Sequence, residues 1–245
     1  MYLFAGNRKK LRVQIYKLFA ALFVLLLAIG SANHARAIDF LTFENIDDGV
    51  MLLEGAASQN DLVYVGTTVD DKVIKGAQNF VQNMGERALG FLSNSSYSTE
   101  RKTKEFKKLL ADSFDMKTIG RFAMGRYWRT ATDSQKKEYL KLFEEMVVEV
   151  YAGRFDEYSG ESFRVGNARA EGKRDAIVTS YITSDNGPDV QVDWRVRYKN
   201  SKYQIVDVIV EGVSMSVTQR SEFSTLIQRG GGDVSVLLSH LKERK

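Results

Sequence analysis

Val190-Gln191-Val192-Asp193-Trp194-Arg195-Val196-Arg197-Tyr198-Lys199 alternates apolar and polar residues without interruption. Side chains of an extended strand point alternately to opposite faces, so Val190, Val192, Trp194, Val196 and Tyr198 share one face. The other face carries Gln191, Asp193, Arg195, Arg197 and Lys199. One buried and one wet face is the signature of an antiparallel sheet rather than of a parallel sheet buried on both sides. The period of two extends in both directions: residues 163–170, 176–183 and 203–211 read as three further strands. They are joined by polar turns such as Ser184-Asp185-Asn186-Gly187-Pro188 and Asn200-Ser201, and connections this short favour antiparallel neighbours.

Upstream of the strands the period changes. Val73, Ala77, Phe80, Val81, Met84, Ala88, Phe91 and Leu92 recur at three- and four-residue spacing, which predicts an amphipathic helix from about Asp71. Ser98 or Thr99 can cap a second helix with Phe106, Leu109, Leu110 and Phe114 inward. Asp115 can cap a short third helix through Met116, Ile119 and Phe122, ending near Gly125. Thr132 or Asp133 opens a long fourth, striped by Tyr139, Leu142, Phe143, Met146, Val147, Val150, Tyr151 and Phe155. After the strands, residues 217–228 and 233–242 read as two more helices separated by Gly230-Gly231-Gly232, a helix stop.

This order predicts an α+β fold: an antiparallel sheet of about four strands covered on one face by helices, formed by one domain over residues 71–245. Residues 38–70 show no sustained period and read as a loosely ordered leader. Ahead of them, Arg8, Lys9, Lys10, Arg12 and Lys17 precede an apolar run over residues 18–29 and then Ala35-Arg36-Ala37. That is the pattern of a signal peptide spanning residues 1–37, and the run is shorter than the roughly 20 apolar residues a membrane-spanning helix needs. The segment holds six of the 35 Lys and Arg and none of the 31 Asp and Glu, which leaves the exported chain with 29 basic against 31 acidic residues. The alkaline isoelectric point of the full sequence is therefore no sign of nucleic-acid binding.

Several chemistries are excluded by composition. There is no cysteine, hence no disulfide scaffold, thiol catalysis or Cys-based zinc site. The two histidines are His34, in the signal segment, and His240, near the C-terminus, so a His-dependent triad or multi-His metal site is not expected. Neither a phosphate-binding loop nor a Gly-x-Ser-x-Gly elbow is present. Asp193, Asp207 and Glu211 fall on strands, where an acidic base in an apolar pocket could be built. Alternation, however, puts Asp193 on the wet face and Glu211 at a strand end. Aromatic residues gather where the fourth helix would cover the sheet, and the same residues would serve a filled core or a binding cavity.

Phe114-Asp115-Met116, Ile119, Met124, Gly125-Arg126-Tyr127-Trp128-Arg129, Ala131-Thr132 and Gln135 form one motif. A second runs through Tyr203-Gln204-Ile205-Val206-Asp207-Val208, Glu211-Gly212-Val213-Ser214-Met215 and Gln219-Arg220-Ser221-Glu222-Phe223. In that order, with Tyr151, Arg154, Phe155 and Tyr158-Ser159-Gly160 between them, they make residues 71–243 resemble the toluene-tolerance family of MlaC-type periplasmic phospholipid-binding proteins. The resemblance implies a non-catalytic carrier with a deep lipid pocket between sheet and helices and without cofactor or metal. It implies passage of phospholipid between an outer-membrane lipoprotein-porin complex and an inner-membrane MCE/ABC transporter complex. A hopanoid-associated branch would share the fold with a different cargo. An isomerase-like enzyme using Asp193 or Asp207, and a non-catalytic adaptor without lipid, are the competing readings.

The family has no contiguous pocket motif, so the lining is inferred from the apolar pattern: Phe122, Tyr127, Trp128, Val147, Tyr151, Trp194, Val196, Ile209, Val213 and Met215. Arg126, Arg129 and Arg220 are the candidates for partner or phosphate contact. N-terminal sequencing of the exported chain is expected to begin at or near Ile38; a chain retaining residues 1–37 would instead be anchored.

Overall fold

The computed structural model describes residues 69–184 and 188–243; the expected signal segment and most of the leader lie outside the described residues. Six α-helices and a five-stranded sheet follow one another. They are α1 (Asp71–Leu92), α2 (Thr99–Ser113), α3 (Met116–Met124), α4 (Asp133–Ala152), β1 (Ser162–Glu171), β2 (Asp175–Thr183), β3 (Val190–Lys199), β4 (Lys202–Val210), β5 (Val213–Ser214), α5 (Met215–Arg229) and α6 (Val234–Glu243). Short 3-10 turns, Gly125–Trp128 and Phe155–Glu157, follow α3 and α4. The sheet is a meander with strand order β1-β2-β3-β4-β5 and antiparallel pairing throughout. The four expected strands are present, and β5 adds a two-residue strand at one edge.

Helix starts follow the local chemistry. Side chains of Asp70, Ser98, Asp115, Thr132 and Ser214 each accept from a backbone N–H in the first turn of α1, α2, α3, α4 and α5, satisfying donors that have no partner within the helix. At α4, Gln135 reciprocates by accepting from the Thr132 N–H, which completes a capping box. Because Ser214 supplies the α5 cap, that helix begins at Met215 rather than near residue 217.

The apolar residues form two clusters. One joins α3, α4, α5 and α6 around Met124, Tyr139, Phe143, Phe223, Ile227 and Leu237. The other joins α1, α2 and the end of α4 to the sheet around Val81, Leu109, Leu110, Phe155, Val178, Val196 and Ile205. Val147 packs against both. Helix α1 can lie close on the sheet because Gly76 and Gly85 have no Cβ; a methyl there would run into Tyr203 and Phe163 respectively. The α2–α3 junction is pinned to β4 by the Asp115 N–H donating to the Ile205 carbonyl at 2.9 Å.

The opposite face of the sheet is polar. Asp175, although buried, accepts from Arg195 Nε at 2.8 Å and from Arg197 Nε and Nη2 at 2.7 and 2.9 Å. Burial pushes the Asp175 carboxyl upward, but the hydrogen bonds and charges of Arg197 and Arg195 outweigh it and hold the carboxyl below its ordinary range. A depressed native pKa means that the stabilisation is complete above the unfolded value, about 3.9, and is lost as pH falls through the native one. The guanidinium side chains keep 40 and 28% of their exposure, so solvent screens the pair. Asp175→Asn is therefore expected to cost about 1–3 kcal/mol at neutral pH. Its thermal melting should lose part of the acid sensitivity expected below about pH 4 for the unchanged protein; parallel pH profiles would refute this role.

Candidate functional site

The two apolar clusters do not close on each other. Between them lies a cavity of about 320 Å³, walled by one face of every helix but α6 and floored by the sheet. Helix α1 contributes Met84, Gly85, Ala88 and Leu92; α2 contributes Phe106, Leu109 and Leu110; Phe114, Met116 and Ile119 follow at the junction and on α3. The α4 side is Phe143, Met146, Val147, Val150 and Tyr151, and the floor is Phe163, Val192, Trp194, Val208 and Val210. Met215, Ser216 and Gln219 close the α5 end.

The walls are apolar because their polar groups are bonded into the protein. Asp207 borders the cavity, but its carboxylate accepts from Ser214 Oγ at 2.6 Å, from the Ser216 N–H at 3.1 Å and from the Val208 N–H at 2.9 Å. Trp194 Nε1 donates to Ser180 Oγ at 2.8 Å, and Ser180 Oγ donates in turn to the Val192 carbonyl at 3.1 Å. Gln219 Nε2 donates to Glu222 at 3.1 Å. Burial drives the Tyr151 hydroxyl well above its ordinary pKa, with the Arg154 charge pulling the other way, so the phenol stays neutral across the physiological range.

An opening is located by exposure. Of the side chains that line the cavity, only Glu157, between α4 and β1, and Ser162, the first residue of β1, are exposed. Arg154, Tyr158 and Glu161 line the same end.

Of the ten residues inferred from the apolar pattern, Val147, Tyr151, Trp194 and Met215 stand on the cavity wall. The other six do not, each for a physical reason. Gly125, at φ +59, turns the chain into a 3-10 helix that sends Tyr127 and Trp128 into the α3–α6 cluster, where Trp128 meets Tyr139 edge-on at 6.5 Å. Phe122 is 40% exposed beneath the Arg220 guanidinium, and Val213 is 54% exposed. Val196 is covered by the second cluster. Ile209 faces away because β4 carries one extra residue, Val206, between Ile205 and Asp207. That bulge reverses the parity, so Val208 and Val210, not Ile209, continue the inward face of Tyr203 and Ile205.

Arg126, Arg129 and Arg220 also lie away from the cavity. Arg126 donates to the Tyr127 hydroxyl at 2.9 Å and, with Arg129, Thr130, Gln228 and Gly232, borders a separate surface depression. Asp193 lies on the outer face, accepting from Thr179 Oγ1 at 2.6 Å and Gln191 Nε2 at 3.1 Å, so no acidic base from β3 enters the cavity. Residues missed by the pattern include Gly85, Phe106, Phe114 and Phe163. Their helices and strand were legible, but periodicity cannot say which stretch of an apolar face meets a gap. Among the described residues no group of His, Asp or Glu could hold a metal ion, and no helix is long and apolar enough to cross a membrane.

Known proteins place this architecture. A phospholipid-binding protein from Ralstonia solanacearum, solved in complex with a phospholipid, superposes with a TM-score of 0.60 at 25% identity, covering 69% of this chain and 96% of that one. The toluene tolerance protein ttg2D of Pseudomonas putida is 26% identical over 109 residues, 44% of this chain and 51% of its own length. The intermembrane phospholipid transport system binding protein MlaC of Haemophilus influenzae is 21% identical over 126 residues, 50% of this chain and 59% of its own length. The chain thus spans only half to three-fifths of the length of these two relatives. Residues 82–243, well over half of the sequence, match the family described as MlaC protein, and the chain belongs to that family.

Proposed function

We propose that this protein is a non-catalytic carrier that holds the acyl chains of a phospholipid in the cavity between its two apolar clusters. The observation that supports this reading is the cavity itself: walls built from side chains of five helices and the sheet, polar groups turned into the protein, and one end marked by exposed residues. Two acyl chains bring on the order of 30 methylenes, and exposing them to water would cost over about 20 kcal/mol at roughly 0.8 kcal/mol each. A carrier must therefore enclose both tails, whereas the headgroup can remain in water.

The phospholipid-bound Ralstonia relative and the transport-system name of the Haemophilus relative support the same cargo. The signal-peptide pattern of residues 1–37 supports export, and we place the carrier in a Gram-negative periplasm between an outer-membrane lipoprotein-porin complex and an inner-membrane MCE/ABC transporter complex. Shelter in a membrane and shelter in the cavity are nearly equivalent, so direction is set by those partners.

Native mass spectrometry of the mature chain recovered from a periplasm is expected to find near-stoichiometric diacyl phospholipid. A hopanoid would redirect the cargo, and a protein that also refuses added lipid would favour the adaptor. Val147→Gln buries an amide in the wall without a partner, about 1–3 kcal/mol, and should weaken lipid retention about tenfold. Val196→Ala, in filled core, should cost about 1–3 kcal/mol in denaturant unfolding yet leave occupancy unchanged under conditions where the protein is folded. Equal lipid loss in the two variants would remove Val147 from the binding wall.

A further inference from the structure

We propose that the outer face formed by α3, the turn that follows it and α5 docks this protein on an anionic phospholipid bilayer, with arginines on lipid phosphates and apolar side chains in the interface. Four large apolar side chains are exposed among the described residues, and three of them lie here: Phe122 at 40%, Val213 at 54% and Val217 at 54%. Arg126, Arg129 and Arg220, all exposed, stand on the same face.

The packing joins these six residues into one strip. Helix α3 lies along α5, and the Gly125–Trp128 turn also touches α5. The Arg220 guanidinium sits over the Phe122 ring, 5.2 Å from its centroid. It can cross the end of α3 because Gly125 has no Cβ; one there would fall 3.0 Å from Arg220 Nε. Val217 precedes Arg220 by about one helical turn, and Val213 adjoins the cap residue Ser214, whose Oγ accepts from the Val217 N–H at 3.2 Å. At the other end, Arg126 and Arg129 border a depression with Thr130, Gln228 and Gly232, and Gln228 lies about two turns beyond Arg220 on α5.

The charge of this face is not compensated. Residues 116–132 include Lys117, Arg121, Arg126 and Arg129 and no Asp or Glu. Residues 213–232 hold one acid, Glu222, which is half-buried and accepts from Gln219 Nε2 at 3.1 Å. Arg126, Arg129 and Arg220 take no part in the ion pairs seen among the described residues. Helix α2 is rich in lysine too, but Glu100, Glu105 and Asp112 are interspersed there and none of its large apolar side chains is exposed.

Three apolar side chains are too few for the dry centre of a stable protein interface, which takes roughly 800 Å² from each partner. A bilayer asks for less, because shallow apolar insertion and attraction to anionic headgroups act together. Guanidinium forks also match phosphate oxygens in shape and charge.

The test is co-sedimentation of the mature chain with vesicles of phosphatidylcholine alone or with about 30 mol % phosphatidylglycerol, at low and high salt. Binding is expected to be at least about ten-fold stronger to the anionic vesicles and to weaken as salt rises. Arg129→Gln, at an exposed position, should weaken it about five-fold and Arg129→Lys should restore it, since the effect is that of one charge near the surface. Val217→Ser should weaken it about two- to five-fold at either salt, through lost apolar insertion. Lys104→Gln, exposed on α2, should change it less than about two-fold. No preference for anionic vesicles, or equal losses in Arg129→Gln and Lys104→Gln, overturns the docking face; a chain that ignores vesicles but binds an acidic protein through Arg129 does so as well. Lipid held in the cavity is read separately by mass spectrometry, so the carrier reading stands or falls on its own.

Discussion

Helix α4 has to satisfy two apolar clusters at once, and the rest of the molecule is arranged around that demand. Tyr139, Leu142, Phe143 and Met146 pack with α3, α5 and α6, while Val148 and the following Tyr151 and Phe155 pack with α1, α2 and the sheet. Between these two faces run Val147 and Val150, which look into the gap. A helix serving one core shows a single apolar stripe; this one is apolar over a wider arc, and the extra arc is cavity wall. The capping box at Thr132 and Gln135 fixes where the helix begins, and hence where along its length the change of partner falls.

A gap of this kind is normally lost to collapse, because apolar walls separated by unfilled space forfeit their dispersion contacts, on the order of several kcal/mol for a cavity of this size. Here the walls are tied to rigid elements. The sheet is held by a complete antiparallel meander, α1 is seated on it through Gly76 and Gly85, and Gln78 Nε2 bonds the Gly166 carbonyl at the β1 irregularity at 2.5 Å. The polar groups at the α5 end are consumed by Asp207, Ser214 and Ser216, so that end offers a guest little but apolar contact. Charge is left to the α4–β1 segment, a division of labour suited to a molecule with apolar tails and a charged head.

In the proposed carrier the apolar interior would be indifferent to the headgroup, and contacts at the rim are screened by water and individually small. Modest selectivity is compatible with carriage: a carrier that gripped its cargo much more tightly than a bilayer does could not release it. A carboxylate interior to the apolar walls would suit an acid–base mechanism. Asp193 instead lies across the sheet, and Asp207 is saturated by donors.

What the sequence determined by itself depends on neighbours along the chain. The alternation of residues 190–199 is the observed β3, and Ser98, Asp115 and Thr132 cap their helices. The two quoted motifs carry the family resemblance. Only the tertiary structure decided which apolar faces meet each other and which meet a gap, because periodicity reports that a face avoids water and not what covers it. Thus Val147 and Val196 obey equally good patterns, yet one is wall and the other filled core. Ile209 lost its expected place to the single-residue bulge at Val206, and Arg154 gained one because α4 happens to end at the mouth. Both outcomes depend on the register and closure of segments far apart in sequence, which no local pattern encodes.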